Sequence, residues 1–169
     1  AFSPKAREYS AKCQASRYYM DLRLYDRYME KSETPFTPNI HNVFALEEAL
    51  NMIEAEGLEN VYARHILMRD MMRAGARAVG LELLVKDEDA SPTVTAIKYP
   101  NADGFRARIR ERYGVEFAGG QGAHANNIFR VGHMGYATPL DVLAALAVLE
   151  VDMKRYGQAT QAAELVMDA

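Results

Sequence analysis

From Glu59 to Val79, Val61, His65, Met68, Met72, Gly75 and Val79 recur at intervals of four and three, which predicts one long helix with a packed face. The same period places Val142, Leu146, Leu149 and Met153 on a second helix, opened by Thr138 as cap, Pro139 at its first position and Asp141 in its first turn. Ser3-Pro4 opens a short helix to about Cys13, and Arg17 to Lys31 reads as another, with Tyr18, Leu22 and Tyr25 on one face. Thr37-Pro38 repeats the hydroxyl-proline signal, so a helix is expected there with Val43, Leu46, Leu50 and Ile53 on one face and its end at Gly57. Period-two and β-branched stretches predict strands over Leu81–Val85, Thr93–Tyr99, Val115–Phe117 and around Arg130. A helix opening at Asn101-Ala102-Asp103-Gly104 separates the second strand from the third, with Phe105, Ile109 and Tyr113 facing inward. From Gly157 onward a weaker helix or a frayed tail is expected.

This order predicts an α+β fold: a small, largely antiparallel sheet with helices packed on one face, preceded by a helical linker. Residues 1–57 are read as linker and interdomain helices, 58–157 as the small α/β domain and 158–169 as a tail. Length supports one proper core, since the chain has 169 residues, 49% of them hydrophobic. Twenty basic residues against 23 acidic give a net charge of −3, without the basic footprint of a nucleic-acid binder. No apolar run approaches a membrane span, and no signal-peptide core opens the chain. Cys13 is the sole cysteine, so neither an internal disulfide nor a cysteine metal site can form, and a cytoplasmic setting is expected. The start at Ala1-Phe2-Ser3-Pro4, without an initiator Met, is what a mature or trimmed product would show.

One stretch carries candidate chemistry. Gly119-Gly120-Gln121-Gly122 leads into Ile128-Phe129-Arg130-Val131-Gly132, where Ile128, Arg130 and Gly132 share one face and Phe129 and Val131 the other. An arginine between apolar neighbours calls for a negative partner, and guanidinium captures carboxylates in bidentate fashion. Arg130 therefore either pairs with a structural Asp or Glu or receives the carboxylate of a small ligand. The glycines match neither a P-loop nor a dinucleotide fingerprint and read as a turn needing positive φ. Thr37, at an expected helix start, is either its own cap or part of an anion site. His65 lies on an apolar stripe and reads as a core histidine, while Arg106, Arg108, Arg110 and Arg112 read as a solvated face. His41, His65, His124 and His133 lack zinc-ligand spacing, and no G-x-S-x-G elbow or partnered Cys13 supplies a nucleophile. Anion-binding parts without a nucleophile or base suggest part of a site.

An ordered set of segments resembles the C-terminal portion of the class V pyridoxal-phosphate aminotransferases, the alanine–glyoxylate and serine–pyruvate group. It comprises Thr34-Pro35-Phe36-Thr37-Pro38, Phe44 to Leu50, Glu56 to Asn60, Ala63-Arg64-His65, Ser91 to Ala96, Arg112 to Glu116, Ala118 to Gly122, and Phe129 to Gly135. The soluble hydrogenase small subunit proteins are equally similar. The resemblance implies the C-terminal domain of a fold-type-I enzyme that moves an amino group from a small amino acid to a 2-oxo acid such as glyoxylate or pyruvate. It implies that Arg130 holds the substrate α-carboxylate. It further implies that Thr37 contacts the phosphate of pyridoxal phosphate bound in the other subunit of a homodimer, and that Thr34 falls where a second cross-dimer contact, often a tyrosine, would sit. The family's Schiff-base lysine lies upstream of the matched region, and neither Ser3-Pro4-Lys5 nor Ser10-Ala11-Lys12 has the loop and strand its motif needs, so this fragment alone is expected to be inactive. Two other readings stand beside it: a non-catalytic interaction module using the Tyr-rich segment 17–31, and a lyase or desulfurase for which Cys13 is poorly placed.

Overall fold

The computed structural model describes residues 2–168. Its elements run α1 (Pro4–Lys12), α2 (Leu22–Met29), α3 (Ile40–Glu56), α4 (Leu58–Ala78), β1 (Glu82–Leu83), β2 (Val94–Lys98), α5 (Ala102–Tyr113), β3 (Ala118–Gly119), β4 (Ile128–Gly132), α6 (Pro139–Met153) and α7 (Gln158–Met167). By internal contact the chain forms two compact units, dividing between Met52 and Ile53 within α3.

In the first unit, Ser3 caps α1 by accepting from the Ala6 N–H at 3.2 Å, as the Ser3-Pro4 signal predicts. The Tyr-rich segment is helical only over Leu22–Met29, where Asp21 is the cap. Arg23 holds the Asp21 carboxyl down to about 2 through a side-chain hydrogen bond. Tyr18, Tyr19 and Tyr25 gather instead around the Phe36 ring, at centroid distances of 5.4, 4.8 and 6.3 Å. Arg17 donates to the Ser10 and Cys13 carbonyls at 3.0 and 2.8 Å, which closes the turn after α1. The third helix begins at Ile40, not at Thr37-Pro38, because Asn39 takes the cap and accepts from the Asn42 N–H at 3.3 Å. Its apolar residues Val43, Leu46 and Leu50 are exposed, so this chain leaves them without the packed face that their spacing predicts.

The second unit holds a four-stranded sheet in the order β1-β2-β4-β3, antiparallel throughout, with helices against one face. The α+β expectation is thus met. Alternation in β4 sends Phe129 and Val131 into the core with Ile97 of β2, Phe105 and Ile109 of α5, and Met68 and Met72 of α4. Tyr99, Phe105, Phe117 and Phe129 form the aromatic centre, with Tyr99–Phe105 and Phe105–Phe129 centroids at 4.3 and 4.8 Å. The first strand is shorter than Leu81–Val85, and the third begins at Ala118, not over Val115–Phe117; Phe117 is core without being paired in the sheet. Two of the arginines expected on a solvated face are engaged: Arg108 bridges α5 to Asp152 of α6 at 3.0 and 2.7 Å, and Arg106 binds across to the chain before β3.

The segment after Gly157 is a formed helix. Ala159 and Ala163 of α7 are fully buried, small enough to let it pack on α4 and α6. Its start is capped from a distance: the buried Glu150 carboxylate of α6 accepts from Gly157 N at 3.1 Å, Thr160 N at 2.6 Å and the Thr160 hydroxyl at 3.0 Å. A second buried polar group lies at the end of β4. The His133 Nδ1 is 3.1 Å from the Pro92 carbonyl, an acceptor only, so Nδ1 carries the proton and Nε2 accepts from the Thr95 hydroxyl at 2.9 Å. Burial lowers the His133 pKa, and the nearby His65 and Arg69 charges lower it further, against the Pro92 carbonyl.

Two outcomes follow. Replacing Glu150 by Ala should destabilise the protein by about 2 kcal/mol and speed hydrogen exchange first in the α7 amides, because three part-buried donors lose their acceptor. For His133 the unfolded chain takes up a proton near 6.5 while the folded site resists it. Its contribution is therefore complete above that value and is lost as pH falls towards the lowered folded value. Urea midpoints measured downward from about pH 7.5 should fall, and His133→Gln should flatten that slope, while an unchanged slope would contradict it.

Candidate functional site: an arginine on the open sheet face

The face of the sheet away from the helices carries Arg130. Its directly opposite neighbours are Ala96 on β2 and Ala118 on β3, and Gly132 follows it on the same face. Three minimal side chains thus surround the arginine, and only Ile128 stands tall beside it on its own strand. Such a floor leaves a long side chain free to rise from the sheet without being buried.

The guanidinium is fixed at one point. Its Nε donates to the Gly119 carbonyl of β3 at 2.9 Å. Among the described residues Arg130 has no carboxylate within ion-pair distance, and its two Nη atoms make no hydrogen bond to protein. The internal Asp or Glu partner, one of the two alternatives open from sequence, is not there. What remains is a half-buried cation held by its inner edge, with the outer Nη edge, the edge suited to a carboxylate, turned to solvent.

The glycine-rich turn exists for close approach more than for unusual φ. A Cβ on Gly120 would lie 2.0 Å from the His124 carbonyl oxygen, and one on Gly119 would lie 2.7 Å from Arg106 Nη1. Of the four residues in Gly119-Gly120-Gln121-Gly122 only Gly122 has positive φ, at 54°. The turn then packs back as a short 3-10 segment over Gly122–His124 and ties to the start of α5, where Asn126 accepts from the Asp103 N–H at 3.0 Å. On the far side of β4, Arg64 of α4 grips Glu56 at 2.6 and 2.8 Å and donates to the Ala137 and Gly135 carbonyls at 2.6 and 3.1 Å. Sequence reasoning missed Arg64 as the clamp of the β4–α6 loop, because its acceptors are backbone carbonyls more than seventy positions away.

Thr37 and Thr34 belong to the first unit and are exposed. Thr37 lies three residues ahead of the first turn of α3, outside the cap. No hydrogen bond engages its hydroxyl among the described residues. The Thr34 hydroxyl donates to the Phe36 carbonyl at 2.8 Å, so it can serve a phosphate only by releasing that carbonyl.

No protein-family model matches the chain. It is 40% identical over 157 residues to the soluble hydrogenase 42 kDa subunit of Anabaena cylindrica, a match covering 92% of this chain and 41% of that protein. An uncharacterized aminotransferase of Methanocaldococcus jannaschii is 41% identical over 144 residues, covering 83% of this chain and 37% of that protein. Among solved structures, the ureidoglycine–glyoxylate aminotransferase of Bacillus subtilis superposes with a TM-score of 0.85 at 28% identity, covering 99% of this chain and 47% of that one. The chain spans about two fifths of the length of the curated relatives it matches. In sequence and in fold, the chain is homologous to the class V aminotransferases, and in sequence also to soluble hydrogenase subunits.

Proposed function

We propose that this chain is the C-terminal part of a pyridoxal-phosphate-dependent aminotransferase that passes an amino group from a small, alanine- or serine-like amino acid to a 2-oxo acid such as glyoxylate or pyruvate. The observation that carries the reading is the Arg130 guanidinium, pinned at Nε to Gly119 with its Nη edge open. Amino acids and 2-oxo acids share one group, the carboxylate beside the reacting carbon, and a fixed bidentate receptor orients both substrates the same way. The floor of Ala96, Ala118 and Gly132 gives the substrate room to approach that edge.

Pyridoxal phosphate, when bound, supplies the carbonyl that exchanges with the amino group. In this chain the fitting donor for its phosphate is the Thr37 hydroxyl, free and exposed ahead of the positive end of α3. Thr34 contributes only after letting go of Phe36. On this reading Thr37 serves the cofactor of a second subunit in a homodimer, the lysine that anchors the cofactor lies upstream of Ala1, and the 169 residues alone are inactive. The lone Cys13 fits a cytoplasmic home for the complete enzyme.

The 40% identity to a soluble hydrogenase subunit supports a second reading, a soluble-hydrogenase-subunit-like protein or a non-catalytic interaction module on the same fold. One experiment separates the two. The polypeptide extended upstream through its native gene is purified with pyridoxal phosphate, and the visible band of the bound cofactor is followed as alanine or serine, then glyoxylate, is added. The enzyme reading expects the band to bleach and return, and expects Arg130→Ala to lower kcat/KM at least about 30-fold, the scale for removing one partner of a buried charged pair. A cofactor band that never forms, or turnover indifferent to Arg130→Ala, would overturn it.

A further inference from the structure

The hold on Arg130 is only as good as the strand that provides it. That strand, β3, has two residues and lies at the sheet edge, with Ala118 opposite Arg130 and Gly119 opposite Phe129. Two-residue edge pairing does not by itself fix a carbonyl in space. A side chain from the helix layer supplies the missing constraint. Arg106 of α5, three-quarters buried, sends its Nε to the Phe117 carbonyl at 2.6 Å, one residue before β3. Its Nη1 and Nη2 reach Asp103 at 3.1 Å and Glu116 at 3.3 Å, so every nitrogen of the fork is committed. The guanidinium also lies close against Gly119: a Cβ there would stand 2.7 Å from Nη1 and 3.3 Å from Cζ. Gly119 is thus gripped on one side by Arg106 and gives its carbonyl to Arg130 on the other.

We infer that Arg106 is a positioning residue for the carboxylate receptor, acting through Phe117 and Gly119 to aim the Arg130 guanidinium. This rests on the reading of Arg130 as a carboxylate receptor. It makes the lack of a side chain at Gly119 a requirement of the site and not of the turn, since any side chain would displace the Arg106 fork. A lysine at 106 keeps the charge facing Asp103 and Glu116 but has no planar fork to donate to Phe117 while lying under Gly119.

The test uses the 169-residue chain with 15N-labelled arginine, in which the Arg130 Nε–Hε resonance is identified by its loss in Arg130→Lys. The expected wild-type signal exchanges slowly with water and shifts on titration with acetate. In Arg106→Gln, and in Gly119→Ala, which keeps Arg106 but fills its place, Hε exchange should rise about tenfold and the acetate response weaken, the scale of losing one aligned hydrogen bond. Arg106→Lys should fall between. The His133 ring resonances, remote from this contact, should stay put, which separates aiming from general loosening. Unchanged Arg130 exchange in both Arg106→Gln and Gly119→Ala would overturn the inference, leaving Phe117 packing as the sole support of β3. A wild-type Arg130 signal indifferent to acetate would instead defeat the receptor reading, while the exchange comparison still reports on Arg106. If Arg106→Gln fails to fold, Gly119→Ala decides.

Discussion

The antiparallel ladder between β2 and β4 decides where everything else in the second unit goes. Five residues of each strand are in register, from Val94 opposite Gly132 to Lys98 opposite Ile128. Because side chains alternate, that register sends Thr95, Ile97, Phe129 and Val131 to the helices and leaves Ala96, Arg130 and Gly132 on the open face. A slip of one residue would bury a guanidinium among Phe105, Phe117 and Met72 and expose Phe129. The cost of burying an unpaired charge makes that alternative inaccessible, so the arginine itself helps to fix the register. Core and candidate site are two faces of one constraint.

The elements legible from sequence are those whose signals are local. Thr138 and Asp141 form a capping box around Pro139 at the first position, with Asp141 accepting from the Thr138 N–H at 2.7 Å, and the helix starts where the pattern placed it. His65, Met68, Met72 and Gly75 of α4 and Val79 just beyond it are buried at the four-three spacing, and Met71, Arg73 and Ala76 widen that face. The misplaced boundaries have non-local or competing causes. Asn39 outcompetes Thr37 as a cap two positions later, since asparagine is the better acceptor at that position. The carboxylate that starts α7 sits on a different helix, so nothing near Gly157 announced it. Phe117 was apolar for the sake of the core, not as a strand residue, and only the partner strand shows that pairing begins at Ala118.

The site was legible in part. Period-two alternation was enough to lift Arg130 out of the core, and the resemblance gave it a ligand class. The geometry adds how the guanidinium is held, by a backbone carbonyl on a two-residue strand, and how that strand is held in turn, by Arg106. Neither contact has a sequence signature, because backbone acceptors are invisible in a string of side chains. Composition spoke for the general class, and the exposed apolar residues of α3 speak for surfaces that this length of chain does not cover by itself.

The account turns on Arg130 meeting a carboxylate through the edge that the protein leaves free. Its most direct test is a crystal structure of the extended polypeptide with a bound, unreactive analogue of a small amino acid. The analogue's carboxylate oxygens should lie about 3 Å from both Nη atoms of Arg130 with Nε still on Gly119. A carboxylate bound elsewhere, with the Nη edge of Arg130 still open to solvent, would contradict the assignment.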